Sequence, residues 1–195
     1  PGARAISRRK ELFQHPARPN SMNEYSIRPA EPEDAQALYD FGEQLLSESS
    51  FLLRSPGERA RSADEMKMVI ERFKELPNYL LLNAWSGSVV VGEGVVMGGE
   101  FIRNRRTGVI GLGILQHHGG KGLGREFLAR LEEFGTKISL HRLELTVMAN
   151  NERAQKLYEA VGYAVEGTKR DSLFIDNRYV DEIIMAKFLN RPVQR

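Results

Sequence analysis

The stretch QHHGGKGLGREF, residues 116–127, places four glycines and a lysine within six residues, directly before an apolar helical pattern. Each glycine destabilises a regular helix or strand by roughly 0.5–1 kcal/mol relative to alanine, so this density indicates a special backbone requirement. Free N–H groups and the dipole at a helix amino terminus attract anions, and glycine lets a phosphate approach the chain closely. The segment is therefore either a flexible turn or a phosphate-binding loop.

Two common nucleotide-binding motifs do not match this loop. A P-loop requires G-x-x-x-x-G-K-[ST], whereas here Gly122 follows the Gly-Lys pair and Leu115 stands at the first glycine position. The dinucleotide fingerprint G-x-G-x-x-G fails because Arg125 stands where the third glycine belongs. The sequence therefore does not predict binding of ATP or NAD in the manner of those folds.

Apolar periodicity predicts seven strands and four helices. The order is one strand, two helices, three strands, a helix, a strand, a helix and two strands. The first strand is expected over 25–30, the strand before the glycine loop over 107–116, and a closing hairpin over 163–189 with Asp-Asn at its turn. Hairpins combined with one strand–helix–strand unit predict an α/β fold with a central mixed, mostly antiparallel sheet and helices on both faces.

Composition indicates an ordinary globular domain. Of 195 residues, 41% are hydrophobic and 28% charged, and no apolar run approaches the ~18 residues that span a bilayer, so no membrane partner is expected. The chain has no cysteine, which excludes disulfides and a cysteine nucleophile and fits a cytoplasmic location. His15, His117, His118 and His141 lack metal-ligand spacing, so no metal site is predicted.

Residues 1–21 hold the surplus positive charge. They carry five basic residues and one acidic residue, a net charge of +4, whereas the remaining 23 basic and 25 acidic residues give −2. The sequence pI of 9.0 therefore does not predict a nucleic-acid partner for the folded part. We expect one domain over 22–195, with residues 1–21 as a disordered or appended extension, and an organelle transit segment as the alternative.

Two segments resemble the signatures of the GNAT acetyltransferase superfamily. The loop GGKGLG, residues 119–124, resembles the acyl-CoA-binding signature [QR]-x-x-G-x-[GA]. Downstream, LELTVMANNERAQKLYEAVGYAVEGTKRD is similar to the second signature, which is a strand, an asparagine before a short helix, a tyrosine in that helix, and G-[FY]. Together they cover residues 107–170, and the order of elements over 25–188 matches as well. One position departs, since Gly119 stands where the family has arginine or glutamine.

The resemblance implies acetyl-CoA as co-substrate. In the family, the strand before the loop splays from its neighbour and its open backbone bonds the acyl-pantetheine arm, which here implies residues 112–116 with the Ile114 N–H at the thioester. The loop amides would hold the pyrophosphate, and Asn151 would either bond a pantetheine amide or serve only as a helix N-cap. The implied cofactor-binding residues are Leu112, Ile114, Gln116, Gly119, Gly120, Lys121, Gly122, Leu123, Gly124, Arg125 and Asn151.

The resemblance also implies a catalytic residue, Tyr158. The family uses a tyrosine at this helical position to protonate the departing thiolate, and a phenol with a pKa of ~10 can donate that proton. The alternative is a core tyrosine, because Tyr158 shares an apolar stripe with Leu157 and Val161. Without cysteine, the acetyl group must pass directly from acetyl-CoA to its acceptor. Candidate bases for the acceptor amine are Glu93, Glu100 and Asp181.

The implied acceptor is a primary amine, carried by a small molecule, an amino acid or a protein amino terminus. Its pocket is expected between the loop 47–61 and the strands at 168–182. The charged residues there have mixed sign and do not select one acceptor: Arg54, Glu58, Arg59, Arg61, Asp171, Asp176 and Asp181. A non-catalytic acyl-CoA-binding protein is the alternative function, because Gly119 removes a side-chain contact. The oligomeric state is open, with a homodimer as one expectation.

Overall fold

The computed structural model describes residues 24–189, so the extension that we expect over residues 1–21 lies outside the described residues. Within this range the order of elements is the predicted one. No helix of this part is both long and apolar enough to cross a lipid bilayer, and the cytoplasmic location stays a prediction.

The strands are β1 Ser26–Pro29, β2 Tyr79–Ser86, β3 Val89–Gly98, β4 Thr107–Ile114, β5 Arg142–Met148, β6 Ala164–Ile175 and β7 Arg178–Phe188. The helices are α1 Ala35–Glu48, α2 Ala63–Glu75, α3 Leu123–Lys137 and α4 Glu152–Ala160, with 3-10 helices at Pro32–Asp34 and Gln116–His118.

The seven strands form one sheet in the order β1-β2-β3-β4-β5-β7-β6. Every neighbouring pair is antiparallel except β4 with β5, which is parallel. Leu80 and Leu81 alternate between two hydrophobic cores, one built with α3 and α4 and the other with α1 and α2. Because successive strand residues point to opposite faces, helices cover both faces of the sheet. The predicted fold class is confirmed.

A helix cap at the start of α2 and the predicted Asp-Asn turn define two local features of the fold. Ser62 is the N-cap of α2 and accepts a hydrogen bond from the Glu65 N–H at 3.2 Å, while the Glu65 carboxylate accepts one from the Arg61 N–H at 2.8 Å. Asp176 and Asn177 join β6 to β7 with φ values of 50° and 60°. Two successive left-handed residues make a type I′ turn, the geometry that suits a two-residue hairpin.

The glycines of β3 make room for Phe127 of α3. A Cβ atom at Gly92 or Gly94 would lie 3.0 Å or 2.7 Å from the Phe127 ring, which is fully buried. The helix that follows the glycine loop is therefore held against the sheet by a large side chain in a glycine-lined recess. The sequence VVVGEGVVM predicts a strand, but it does not predict this packing.

Phe127→Ala is expected to lower the free energy of unfolding by about 3–5 kcal/mol, because it removes a buried ring and leaves a cavity. Urea denaturation of the variant and the wild type measures this loss. Phe101→Ala is the matched control, since the Phe101 side chain is 74% exposed and its removal should change stability little. Equal, small effects of the two substitutions would show that Phe127 does not anchor α3.

The predicted strand over 107–116 is two residues too long. β4 ends at Ile114, Leu115 is buried against α1 and α2, and Gln116 begins a 3-10 helix. The reason is the end of α1, where Glu48 accepts hydrogen bonds from the Gln116 N–H at 2.6 Å and, through its carbonyl, from the Gln116 side chain at 2.6 Å. This contact turns the chain away from the sheet before the glycine loop.

Candidate active site

β4 and β5 diverge part-way along their length. Their parallel pairing runs only from Thr107 with Arg142 to Val109 with Glu144. β4 nevertheless continues to Ile114 against β3 on its other side. The separation that the resemblance implies is therefore present, and it opens a gap along the second half of β4.

Backbone groups of β4 point into this gap. The Leu115 N–H donates to the Val91 carbonyl of β3 at 3.0 Å. Because hydrogen-bonding groups alternate in direction along a strand, the N–H groups of Leu112 and Ile114 point to the opposite side, where β5 has departed. A ligand lying along β4 could therefore accept hydrogen bonds from both.

The glycines of the loop are required for different reasons, some for backbone conformation and one for close packing. Gly120 and Gly122 have φ values of +80° and +87°, a left-handed conformation that favours glycine. A Cβ atom at Gly124 would lie 2.7 Å from Leu157 of α4 and 3.7 Å from Leu112 of β4. The loop is thus a specific turn, and Gly124 lets the start of α3, the end of β4 and the middle of α4 converge at one place.

The N–H groups of residues 120–125 have no acceptor in the part of the chain that the structure describes. Helix α3 has no side-chain N-cap, and its first backbone bond runs from the Glu126 N–H to the Gly122 carbonyl at 3.2 Å. Lys121 lies beside this run of donors, 3.5 Å from Glu24, and a hydrogen bond to Tyr25 raises the pKa of its ammonium group. Free N–H groups, a helix amino terminus and a cation together favour an anion.

Arg153, the second residue of α4, lies over the first glycine of this loop. A Cβ atom at Gly119 would be 2.5 Å from Nη2 of Arg153, and one at Gly120 would be 3.8 Å from it. Sequence reasoning missed this side chain because it is 34 positions away from Gly119 along the chain. The only signal was its place in the second signature, two residues after Asn151.

Two of the implied pantetheine contacts already have partners within the chain. Asn151 is the N-cap of α4 and accepts a hydrogen bond from the Ala154 N–H at 3.2 Å, which leaves its amide nitrogen for another contact. Both donors of Gln116 bond Glu48, as described above. Contacts of Asn151 and Gln116 with a pantetheine arm stay predictions.

Tyr158 lies on the buried face of α4, with 8% of its surface exposed, and its ring packs edge-on against Tyr163 at a centroid distance of 5.9 Å. Burial raises the pKa of Tyr158 to about 12. Its hydroxyl has no hydrogen-bond partner among the described residues. Tyr158 thus packs as a core residue, and at neutral pH its phenol is protonated. The preceding residue, Leu157, contacts the start of α3.

Glu93 is the base candidate that lies closest to the gap. In the sheet register it stands directly opposite Gly113 of β4, one residue before Ile114. Its carboxylate forms an ion pair with Arg59, and both side chains are largely buried, with 18% and 13% exposed. Arg59 also donates to the Leu38 carbonyl of α1 at 3.3 Å, so the carboxylate is held in place beneath α1.

Asn83 was not anticipated from the sequence. It lies directly opposite Glu93 in the β2–β3 register, is fully buried, and has no hydrogen-bond partner for Oδ1 or Nδ2 among the described residues. Opposed residues in an antiparallel pair have Cβ atoms about 4.5–5.5 Å apart. A polar residue within the apolar run YLLLNAWS was the available signal, and it marks a buried polar cluster with Glu93 and Arg59.

The other two base candidates are placed less favourably. Glu100 follows the end of β3, where Gly98 pairs with Gly108, so it lies at the closed end of the β4–β5 pair. Asp181 lies at the open end, but its carboxylate accepts a hydrogen bond from the Asp171 N–H at 2.8 Å and so supports an irregular turn of β6. Glu93 therefore has the best geometry of the three.

A cleft of about 610 Å³ lies next to Arg59, and all of its lining residues come from the α1–α2 connection and the start of α2: Gly57, Glu58, Arg59, Ala60, Arg61 and Glu65. The predicted acceptor segment 47–61 thus contributes to a cleft, whereas residues 168–182 do not line it. Over residues 24–189, no group of three or more His, Asp or Glu side chains is arranged to hold a metal ion.

Residues 43–163 match the sequence pattern of the Acetyltransferase (GNAT) family, which is more than half of the chain. The chain belongs to this family. Among solved structures, the acetyltransferase of the GNAT family from Streptococcus pneumoniae superposes with a TM-score of 0.82 at 26% identity, covering 86% of this chain and 100% of that one. The protein yncA from Salmonella typhimurium, solved with its cofactor acetyl-CoA, has the same fold, with a TM-score of 0.77 at 22% identity and coverage of 88% and 97%.

Two sequence relatives are named N-acetyltransferases. The chain is 36% identical over 83 residues to the spermidine N(1)-acetyltransferase of Vibrio cholerae serotype O1, which is 40% of this GNAT protein but only 48%, about half, of that enzyme. It is 25% identical over 161 residues to an uncharacterized N-acetyltransferase of the SPbeta prophage of Bacillus subtilis, covering 81% and 86%. The predicted class of acyl-CoA-dependent N-acetyltransferases is thereby confirmed at the level of the family.

Proposed function

We propose that this GNAT protein transfers an acetyl group from acetyl-CoA directly to a primary amine. The observation that carries the proposal is the open end of the β4–β5 pair, where three features support binding and transfer. These are the open backbone of β4, the N–H groups of residues 120–125, which lack acceptors among the described residues, and the hydroxyl of Tyr158 on the neighbouring helix α4. One elongated molecule with an anionic end and a thioester end fits all three.

The loop and β4 act as the binding surface. The N–H groups of residues 120–125, with Lys121 and Arg125, neutralise the pyrophosphate, as a helix amino terminus does for phosphate. The N–H groups of Leu112 and Ile114 bond the pantetheine arm and the thioester oxygen across the gap. The thioester carbonyl carbon then lies next to Ile114. The preceding residue, Gly113, stands opposite Glu93 in the β3–β4 register.

The acyl transfer requires that the acceptor nitrogen lose two protons and that the departing sulfur gain one. Glu93 takes a proton from the acceptor ammonium, either directly or through a water molecule, and the free amine attacks the thioester carbon. As the C–N bond forms, the C–S bond breaks, and Tyr158 gives its hydroxyl proton to the departing thiolate. The second amine proton then restores the hydroxyl of Tyr158, and Glu93 releases its proton to solvent, so that an amide and free coenzyme A result.

The acceptor is a small-molecule or peptide amine that enters from the α1–α2 side. Glu93 and Arg59 lie on that face of the sheet, and the cleft of residues 57–61 opens next to them. The relative from Vibrio cholerae, a spermidine acetyltransferase, supports an amine acceptor. The charged residues that line this cleft, Glu58, Arg59, Arg61 and Glu65, have mixed sign, so they do not select the charge of the acceptor.

Acetyl-CoA is expected to stabilise the full chain, and ATP is the control. A ligand at about 100 times its Kd adds ~2.7 kcal/mol to the free energy of unfolding, which is roughly 5–10 °C in Tm for a domain of this size. Release of free thiol on addition of an amine panel then measures turnover. No shift with acetyl-CoA would contradict the proposal, whereas a shift without thiol release for any amine would favour the non-catalytic acyl-CoA-binding alternative.

A further inference from the structure

We propose that Arg153 supplies, from helix α4, the cationic side chain that Gly119 lacks, and that its guanidinium binds the pyrophosphate of acetyl-CoA. This inference rests on the proposed function, because it assigns a residue to the same acyl-CoA site. Neither the sequence motif of the glycine loop nor membership of the family assigns this contact.

The position of Arg153 carries the inference. Its guanidinium covers Gly119, with Nη2 2.5 Å, Nη1 3.2 Å and Cζ 3.2 Å from the place that a Cβ atom would take. An arginine or glutamine at position 119 would need the space that Arg153 occupies. A side chain at position 119 and the Arg153 guanidinium therefore cannot both keep this place over the loop, and one of them must move.

The surroundings of Arg153 also point to an anion. No acidic side chain among the described residues pairs with it, although Glu152 lies next to it in sequence and pairs instead with Lys156 at 3.3 Å. The adjacent N–H groups of residues 120–125 lack acceptors in the same part of the chain. A planar guanidinium with unused donors beside such a run of N–H groups is suited to bidentate phosphate binding.

Helix α4 can hold this side chain rigidly. Asn151 caps the helix two residues earlier, and Leu157 one turn later packs against Gly124. Both ends of the segment that carries Arg153 are therefore fixed relative to the loop. The same helix presents Tyr158, so one element positions a pyrophosphate contact and the proton donor.

The experiment measures Kd by calorimetry for three ligands: acetyl-CoA, acetyl-dephospho-CoA, which lacks only the 3′-phosphate, and S-acetylpantetheine, which lacks all phosphates. Arg153→Ala is expected to raise the Kd of the first two by about tenfold or more, the scale of one charge-assisted contact, and to leave the third unchanged. Lys156→Ala, on the same helix with a side chain 75% exposed, is the matched control and should change none.

A swap tests the position itself. Gly119→Arg alone should weaken acetyl-CoA binding, because the new side chain collides with Arg153. The double variant Gly119→Arg/Arg153→Ala should bring Kd back to within about threefold of wild type, since a cation again stands over the loop. Circular dichroism and Tm confirm that each variant is folded before Kd is compared.

The measured Kd values determine whether Arg153 binds the pyrophosphate, the 3′-phosphate or neither. An unchanged Kd for acetyl-CoA in Arg153→Ala, or an equal loss for all three ligands, overturns the role of Arg153 but leaves the acetyltransferase proposal intact. A loss that disappears with acetyl-dephospho-CoA moves the contact to the 3′-phosphate and overturns the pyrophosphate assignment. Failure of the wild-type protein to bind acetyl-CoA at all overturns both proposals.

Discussion

Tyr158→Phe is expected to lower kcat by about 10²–10⁴-fold, the range of a positioned general acid, while the Kd of acetyl-CoA stays nearly unchanged. The substitution removes one oxygen from a side chain that has no hydrogen-bond partner among the described residues. Packing against Tyr163 and Leu157 should persist, because phenylalanine has the same ring. Pre-steady-state and steady-state thiol release, with calorimetric Kd, separate the two effects.

Tyr163→Phe is the matched control for this experiment. The Tyr163 ring packs edge-on against Tyr158, and the Tyr163 hydroxyl is buried without a partner among the described residues, but the proposed mechanism gives it no proton to transfer. Its variant should keep the wild-type kcat. Equal losses in both variants would assign the effect to packing, and wild-type turnover in Tyr158→Phe would remove Tyr158 from the mechanism.

The pH dependence of kcat gives a second test of the tyrosine. Burial raises the pKa of Tyr158 to about 12, so the neutral donor form is retained as the pH rises well past the ordinary value of ~10. No fall in kcat caused by ionisation of Tyr158 is therefore expected below about pH 11. A group with the ordinary phenol pKa would already be half ionised near pH 10.

The sequence predicted the fold well because its signals are local. The Asp176-Asn177 turn and the apolar pattern of α3 each act within a few residues, and both are found where they were expected. The end of β4 was missed for the opposite reason. It is set by Glu48, 68 positions before Gln116 in the chain, and no local pattern reports that contact.

The same distinction between local signals and long-range contacts applies to the candidate site. The motif resemblance gave the loop, the strand and Tyr158, but it did not separate the reasons for the glycines. Gly120 and Gly122 are required by backbone conformation, whereas Gly124 is required by contact with Leu157. Arg153 and Asn83 gain their significance only from residues brought next to them by the sheet and by α4, so periodicity and spacing could not identify them.

Glu93→Gln is expected to lower kcat by about 10²-fold or more at pH 7. The reason is that the acceptor ammonium group then has no carboxylate to take its proton. The substitution also leaves Arg59 with an amide partner, and breaking a buried ion pair can cost ~3–5 kcal/mol of stability. Activity is therefore compared well below the Tm of each variant. Glu100→Gln, at the closed end of the β4–β5 pair, is the control and should retain wild-type turnover.

The pH dependence of this loss distinguishes a base from a structural carboxylate. As the pH approaches the pKa of the acceptor ammonium, a growing fraction of the amine is already neutral and needs no base. The deficit of Glu93→Gln should therefore shrink between about pH 7 and pH 9.5, and it should shrink earlier for an acceptor of lower pKa. Tyr158 stays protonated over this whole range, so the acid half of the mechanism does not interfere. A deficit that is the same at every pH would instead assign Glu93 to holding Arg59 and the α1–α2 connection in place.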